Sequence, residues 1–396
     1  MGNEDKNNKQ YFPSRCVDKP KVCLWCTSSI NSADFIEKYH DEFDIISVAI
    51  DAQENKFRYD YTHIIRIPKF IRMKVFKYIY SIFTLPKIIY LMKKYDRIVG
   101  CHVVHYLSEL FAISILVANP KKPIVYFTYG SDYRYPLLRS VVKNIINTKI
   151  TTIFSGSPIV KKELRRLYDT ESPKIDTTLT IGVDKGIFRK YSLIEKIFVK
   201  KKYKLLDNIV LFYPRKISIF YNHHIVLKAI NLLEENLRKK VKLILIEYGD
   251  IDYINYINNT IKKLDLECNI IIFKKRLSKK EMAEVYNIAD ITLSVPANDG
   301  IGRSNIEAVL CGSILLLNAN VNNYRVVFRD GKYCKYTNLT PSSIAKSIES
   351  IIANLESLKD EKERIRISKF VDWEKNKKLI ANRIKSIINE NIGEGG

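Results

Sequence analysis

Ser294-Val295-Pro296-Ala297-Asn298-Asp299-Gly300-Ile301-Gly302-Arg303-Ser304-Asn305-Ile306-Glu307-Ala308 is the stretch from which the rest of the chain can be read. Residues 291–295 have the length and β-branched content of a buried strand. They lead into a loop with two glycines, then into a helical pattern that closes at Cys311-Gly312, where glycine suits the left-handed residue ending a helix. Gly300 and Gly302 would let the backbone approach a ligand closely and take up φ > 0 without steric cost. The amides of Ser304, Asn305 and Ile306 would head the helix as unpaired donors, a seat for a diphosphate. Glu307, in the first turn, is placed to accept hydrogen bonds from a ribose diol, and Asp299 on the same loop to face a sugar. The competing reading is an ordinary βα loop whose glutamate offsets the helix dipole.

Outward from this stretch the alternation continues. Strand-like runs at 209–213, 241–246, 270–273 and 314–317 are separated by helical patterns at 225–238, 251–264, 279–288 and 305–310. Ser278-Lys279-Lys280-Glu281 fits a capping box opening one of these helices. An earlier series has runs at 22–25, 45–50, 64–67, 97–99, 124–128 and 152–154, with helices at 107–118 and 158–168. Ser157 suits the N-cap of the last helix and Pro158 its first turn. A charged stretch, 190–207, joins the two series. Together they predict an α/β protein of two doubly wound domains facing a cleft, with ligands at the carboxyl ends of the strands.

Composition agrees. The 396 residues suffice for two domains with cores of their own, and 46% hydrophobic with 28% charged residues excludes a disordered chain. Only 14 glycines and 12 prolines argue against a loop-heavy all-β protein. Seven scattered cysteines do not make a disulfide framework, and the CxxC spacing of Cys23 and Cys26 has no second ligand pair, so buried free thiols are expected. Residues 1–20 are polar, without the apolar centre of a signal peptide, and are expected to be a disordered tail. No apolar run reaches the roughly 18 residues of a spanning helix, and a cytoplasmic location is expected.

Five segments, in order, resemble one family. Asp299, seven intervening positions and Glu307-Ala308 are similar to the acidic-x7-Glu motif of retaining glycosyltransferases of family 4, with Asp299 where that family usually has Glu. Thr180-Ile181-Gly182-Val183-Asp184-Lys185-Gly186-Ile187-Phe188 looks like its Gly-Val-Asp segment, and Tyr126-Phe127-Thr128-Tyr129-Gly130-Ser131-Asp132 resembles its Gly-Ser-Asp loop. Residues 277–290 are similar to the helix and strand entry before its nucleotide site, and Val371-Asp372-Trp373 resembles the start of its closing helix. The resemblance spans residues 21–388 and implies a GT-B fold of two Rossmann-like domains. The acceptor-binding domain would be 21–200, the nucleotide-sugar-binding domain 201–375, and a C-terminal helix, 376–396, would cross back to the first domain.

The resemblance implies a hexosyltransferase that retains anomeric configuration, the leaving phosphate helping to deprotonate the acceptor hydroxyl. It implies a nucleotide-sugar donor, no metal and no further cofactor, and an acceptor that is a glycan or lipid-linked, as in cell-surface polysaccharide or glycolipid synthesis. Growing charge on the leaving diphosphate needs cations or oriented amides. Arg215 matches the family's arginine there, but Phe220-Tyr221-Asn222 stands where a lysine usually follows, so Lys216 or Arg303 would supply the second charge. The catalytic candidates are Arg215, Asp299 and Asp132. Donor binding falls to Glu307, Ser304, Asn305, Ile306, Gly300, Gly302, Arg303 and Lys216. Thr128 and Tyr129 occupy the place of the family's histidine, and the nearby His102 and His105 read as structural.

Lys+Arg 66 against Asp+Glu 43 leaves a formal charge of +23. Residues 66–97 hold nine lysines and arginines against the single acid Asp96, interleaved with aromatics. That pattern suits the interface of an anionic membrane, which would make the enzyme peripheral on the inner face of the cell membrane. A nucleic-acid groove and a plain charged helix face are the competing readings of this stretch. Two alternatives to the transferase above stay open: a DNA-modifying glucosyltransferase, and a non-catalytic transferase-like scaffold subunit, kept alive by the missing lysine and histidine.

Overall fold

The computed structural model describes residues 19–27, 30–51, 61–66, 74–128, 138–168, 175–176 and 182–393. Its strands form two sheets, and the pairings in both are parallel. The first contains β1 (Lys21–Thr27), β2 (Asp44–Asp51), β3 (His63–Arg66), β4 (Cys101–His105), β5 (Ile124–Phe127), β6 (Ile150–Phe154) and β7 (Ile175–Asp176), in the order β3-β2-β1-β4-β5-β6-β7. The second contains β8 (Ile209–Tyr213), β9 (Val241–Ile246), β10 (Ile270–Phe273), β11 (Ile291–Ser294), β12 (Ile314–Asn318) and β13 (Cys334–Thr337), in the order β10-β9-β8-β11-β12-β13. Both orders run outward one way, then resume on the other side of the first strand, which is doubly wound topology. Helices cover both faces of such sheets, so β11 and β12 are buried along their whole length, and residues 314–317 of β12 read as a continuous apolar run.

The second sheet reverses between β8 and β11, where Leu211 lies opposite Ile291 and Phe212 opposite Thr292. Ligands of open parallel sheets bind beyond the carboxyl ends of strands at such a switch point. The loops starting at Pro214 and Val295 are therefore the ones to inspect.

Three expectations are corrected. The strand at 97–99 is a turn closing the helix Lys74–Asp96, with the amides of Ile98 and Val99 bonded to the Tyr95 carbonyl. The strand is β4, whose sequence Cys-His-Val-Val-His is wholly buried. His102 there accepts from Trp25 Nε1 at 3.0 Å and donates to Asp96 at 3.2 Å, while His105 meets the edge of Phe35 and burial pushes its pKa down to about 3. Both are structural, as expected. The helix at 225–238 is two, His223–Asn231 and Glu235–Lys240, because the Glu234 side chain caps the second through the amides of Asn236 and Leu237. The joining stretch 190–207 contains a helix, Leu193–Lys202, opened by a capping box of Ser192 and Glu195. The expected capping box at Ser278 and Glu281, the cap at Ser157 and the left-handed Gly312 are all present.

The chain packs as two compact units, one from Met1–His105, Ile113–Ile124 and Ile384–Gly396, the other from Tyr106–Ala112 and Val125–Arg383. In the first, the end of the helix Trp373–Gly393 lies on the early strands: Lys385 donates to Glu42 at 2.6 Å, and a Cβ on Gly100 would come within 2.8 Å of Ile388. In the second, Asp184 accepts from the amides of Gly186 and Ile187, and Lys185 bonds Asp372 at 3.1 Å. Two segments singled out in the sequence therefore touch. The cysteines of the described residues are free, and burial pushes the Cys26 thiol up to about 12 against a Ser32 hydrogen bond.

Candidate functional site

Arg215, two residues past β8, reaches across the switch point. Its Nη2 donates to Asp299 Oδ2 at 2.5 Å and to Ser294 Oγ, at the end of β11, at 3.1 Å. The Tyr324 hydroxyl donates to the same Asp299 oxygen at 2.8 Å and lies 2.9 Å from Ser294 Oγ. Asp299 Oδ1 takes the Gly300 amide at 2.9 Å. Its carbonyl takes Asn323 Nδ2 at 2.9 Å, and Ser157 Oγ donates to Asn323 Oδ1 at 3.3 Å. Arg215 and Asp299 retain only 13% and 18% of their side-chain exposure, a nearly dry ion pair that persists because hydrogen bonds answer its remaining valences.

The loop carrying Arg215 is pinned from both ends. The Tyr213 hydroxyl bonds the Tyr221 carbonyl, and Asn222, left-handed at φ 57°, donates Nδ2 to the Val295 carbonyl at 2.9 Å. The guanidinium carbon lies 5.5 Å from the centre of the Tyr221 ring, a cation–π contact. Burial alone would lower the Arg215 pKa. The Asp299 carboxylate and the phenols of Tyr324, Tyr221 and Tyr213 outweigh it and hold the guanidinium above its ordinary value. Burial, then the charge of Asp299, pushes the Tyr324 phenol well up, so it stays a hydrogen-bond donor.

Gly302 starts the helix Arg303–Cys311 at φ 76°, and a Cβ there would stand 2.8 Å from Asn305 Nδ2 and 2.9 Å from Arg215 Nη2. Glycine is required at this position twice over, by backbone conformation and by the approach of the guanidinium. Gly300 is different: it is not left-handed, and a Cβ there would meet open space. The Asn305 amide is spent on the Gly302 carbonyl at 3.1 Å, which removes one of the three expected donors because the helix opens with a tighter turn. The amides of Ser304 and Ile306 remain as candidates, the Ile306 side chain being buried in the core. Ser304 Oγ and Arg215 Nε are buried without a hydrogen-bond partner among the described residues, a hydroxyl and a donor that a phosphate oxygen would answer. Glu307 is half-buried on the next turn; burial first, then its charge, raises the pKa of the buried Tyr286 phenol, so the carboxylate faces that ring. Arg303 is half-buried and Lys216 exposed. Asp132 lies outside the described residues. Phe220, where the resembling family has lysine, gives its carbonyl to the Ala297 amide and adds no charge.

Residues 194–368 match the family model described as "Glycosyl transferases group 1". That stretch is therefore similar to group 1 glycosyltransferases. Among solved structures, Anabaena HepE in complex with UDP and glucose is similar at TM-score 0.74 and 15% identity, over 93% of this chain and all of that one, 100%. A sucrose-phosphate synthase from Thermosynechococcus elongatus gives TM-score 0.75 and 14% identity over 94% and 100% of the two chains. A UDP-forming trehalose-phosphate synthase from Burkholderia xenovorans gives 0.71 and 10% over 93% and 99%. The fold is GT-B, two parallel α/β sheets with interleaved helices, as the sequence led us to expect. No curated protein sequence matches this one significantly.

The structure thus brings Arg215, Asp299 and Gly302 into contact and sets Glu307 one turn along. Ser294, Tyr324, Asn323 and Ser157 were not singled out for the site by sequence. A signal existed for one of them: Ser294 is a polar residue closing a buried strand at its carboxyl end, just before the glycine loop. Among the described residues no group of three or more His, Cys, Asp or Glu side chains is arranged to hold a metal ion.

Proposed function

We propose that the protein moves a sugar from a nucleotide-sugar donor, UDP-linked, to a glycan or lipid-linked acceptor, with retention of configuration. The observation that carries this reading is the Arg215–Asp299 pair packed against Gly302 at the head of the Arg303–Cys311 helix. A diphosphate seated there meets the positive end of the helix dipole, the hydroxyl of Ser304 and the open Nε of Arg215. Arg215, always protonated, offsets charge growing on the leaving diphosphate, and Asp299 holds the guanidinium toward that oxygen. Glu307 takes the ribose hydroxyls. The uridine assignment is supported by the UDP named for two of the similar structures. We place the enzyme in the cytoplasm, with the helix Lys74–Asp96, where Phe83, Lys87 and Tyr90 are exposed at helical spacing, docking it on the inner membrane face.

A thermal-shift series with UDP, GDP and ADP tests the reading, because a ligand that binds only the folded state raises its melting temperature. UDP should raise it by several degrees, and UDP-glucose should release UDP in a coupled assay. No shift with any of the three would contradict the proposal.

A further inference from the structure

The helix Leu193–Lys202 turns its apolar residues the wrong way for a soluble protein. Leu193, Ile194 and Phe198 are 73%, 81% and 72% exposed, and Ile197 is exposed beside them. At about 100° per residue these four share one half of the helix with Lys201 and Lys202. The opposite half supplies the packing: Val199 is buried, and Lys200 reaches the Asn208 carbonyl at 3.1 Å and Asp290 at 3.9 Å. Two capping-box hydrogen bonds fix the helix start, so the outward face is a built surface rather than a frayed end.

We infer that this face docks on an anionic lipid bilayer. Charge complementarity selects that occupant. Residues 189–206 contain seven lysines and arginines and one acid, Glu195, which is bonded to Arg189 and the Ser192 amide; Lys190, Lys200 and Lys202 pair with Glu361, Asp290 and Glu284, and Lys196, Lys201 and Lys204 supply the charge left over. The outward half presents large apolar side chains followed by Lys201, with Lys202 at its edge paired to Glu284 at 2.5 Å and the exposed Lys204 beyond, so that apolar side chains can enter the acyl boundary while ammonium groups stay among lipid phosphates. Leu206 and Lys204, both exposed, extend the patch past the helix end. The inference does not rest on sugar transfer. Burial and then the Glu307 charge raise the Cys311 thiol pKa, and the nearby Lys196 ammonium works against them, so the helix sits at the far end of Arg303–Cys311 from Gly302. Substitutions on its outward face leave the diphosphate seat untouched.

The full chain should sediment with vesicles of phosphatidylcholine containing about 30% phosphatidylglycerol, weakly with phosphatidylcholine alone, and less in about 0.5 M NaCl as salt screens the lysines. The double variant Ile194→Ser with Phe198→Ser should lose about tenfold or more in partitioning, with UDP affinity and melting temperature kept. In Phe198→Trp, the emission of the new indole should shift blue on anionic vesicles. Equal partitioning of wild type and double variant, or an unshifted indole, overturns the inference. So does loss of binding only in Phe83→Ser with Tyr90→Ser. A wild-type dimer that the double variant dissolves, with no vesicle binding, would assign the face to a second copy instead.

Discussion

One methyl group at residue 302 would meet Arg215 Nη2 at 2.9 Å and Asn305 Nδ2 at 2.8 Å while forcing an L-residue to φ +76°. Gly302→Ala should cost about 1–2 kcal/mol in urea unfolding and weaken UDP binding together, since the guanidinium must move. Gly300→Ala, facing open space, serves as the control and should do neither. Tyr324→Phe removes the donor to Asp299 and the partner of Ser294, which keeps its bond from Arg215. A loss of about 1–2 kcal/mol is expected, with donor turnover falling more than donor affinity, because the variant loosens Asp299 and not the helix head. His223 gives a pH test. Burial lowers its pKa to about 4, against backbone groups of Arg215 and Ser218 that favour the charged ring. The unfolded chain binds this proton below the ordinary value of 6.5, the folded one only near 4, so stability is full above 6.5 and falls as pH drops between those values. The unfolding free energy from urea melts should fall by up to about 1.4 kcal/mol per pH unit from this group, and His223→Phe should flatten the slope by that amount.

At the scale of elements, the helices with the sharpest ends are those with side-chain caps. Ser278→Ala removes the side-chain arm of a capping box, the hydroxyl that accepts from the Glu281 amide, and should cost about 1 kcal/mol by denaturant melting, as should Ser192→Ala. These caps also show what sequence could and could not deliver. Ser278 and Glu281 are three positions apart, so the signal was local; the box at Ser192 and Glu195 was equally local but hidden in a stretch read as a charged linker. The strands of the second sheet were legible because burial on both faces leaves apolar runs, as in Ile209–Tyr213 and residues 243–246. β4 was not, because His102 and His105 broke the apolar pattern and the exposed Ile98 beside Val99 imitated a strand. At the site, Asp299, Gly302 and Glu307 are neighbours in sequence and could be read together. Ser294 meets Arg215 from 79 positions away through parallel pairing of β8 and β11, and Tyr324 arrives on the turn after β12. Spacing carries no record of such contacts.

At the scale of the molecule, the order β10-β9-β8-β11-β12-β13 decides where chemistry can sit: beyond β8 and β11, where the direction of strand addition reverses. Arg215 comes from one of those strands and the glycine loop from the other, so the site is a property of the sheet rather than of either loop. Glu307, half-buried beside Tyr286, can be truncated without opening the core, so the proposed donor site can be tested there apart from the fold's stability. Calorimetric titration of UDP into wild type and Glu307→Ala tests this most directly. The dissociation constant should rise about tenfold or more in the variant, as befits loss of a charge-assisted hydrogen bond, while the melting temperature of the free protein holds. Equal UDP affinity in the two proteins would contradict the assignment of this helix head as the donor site.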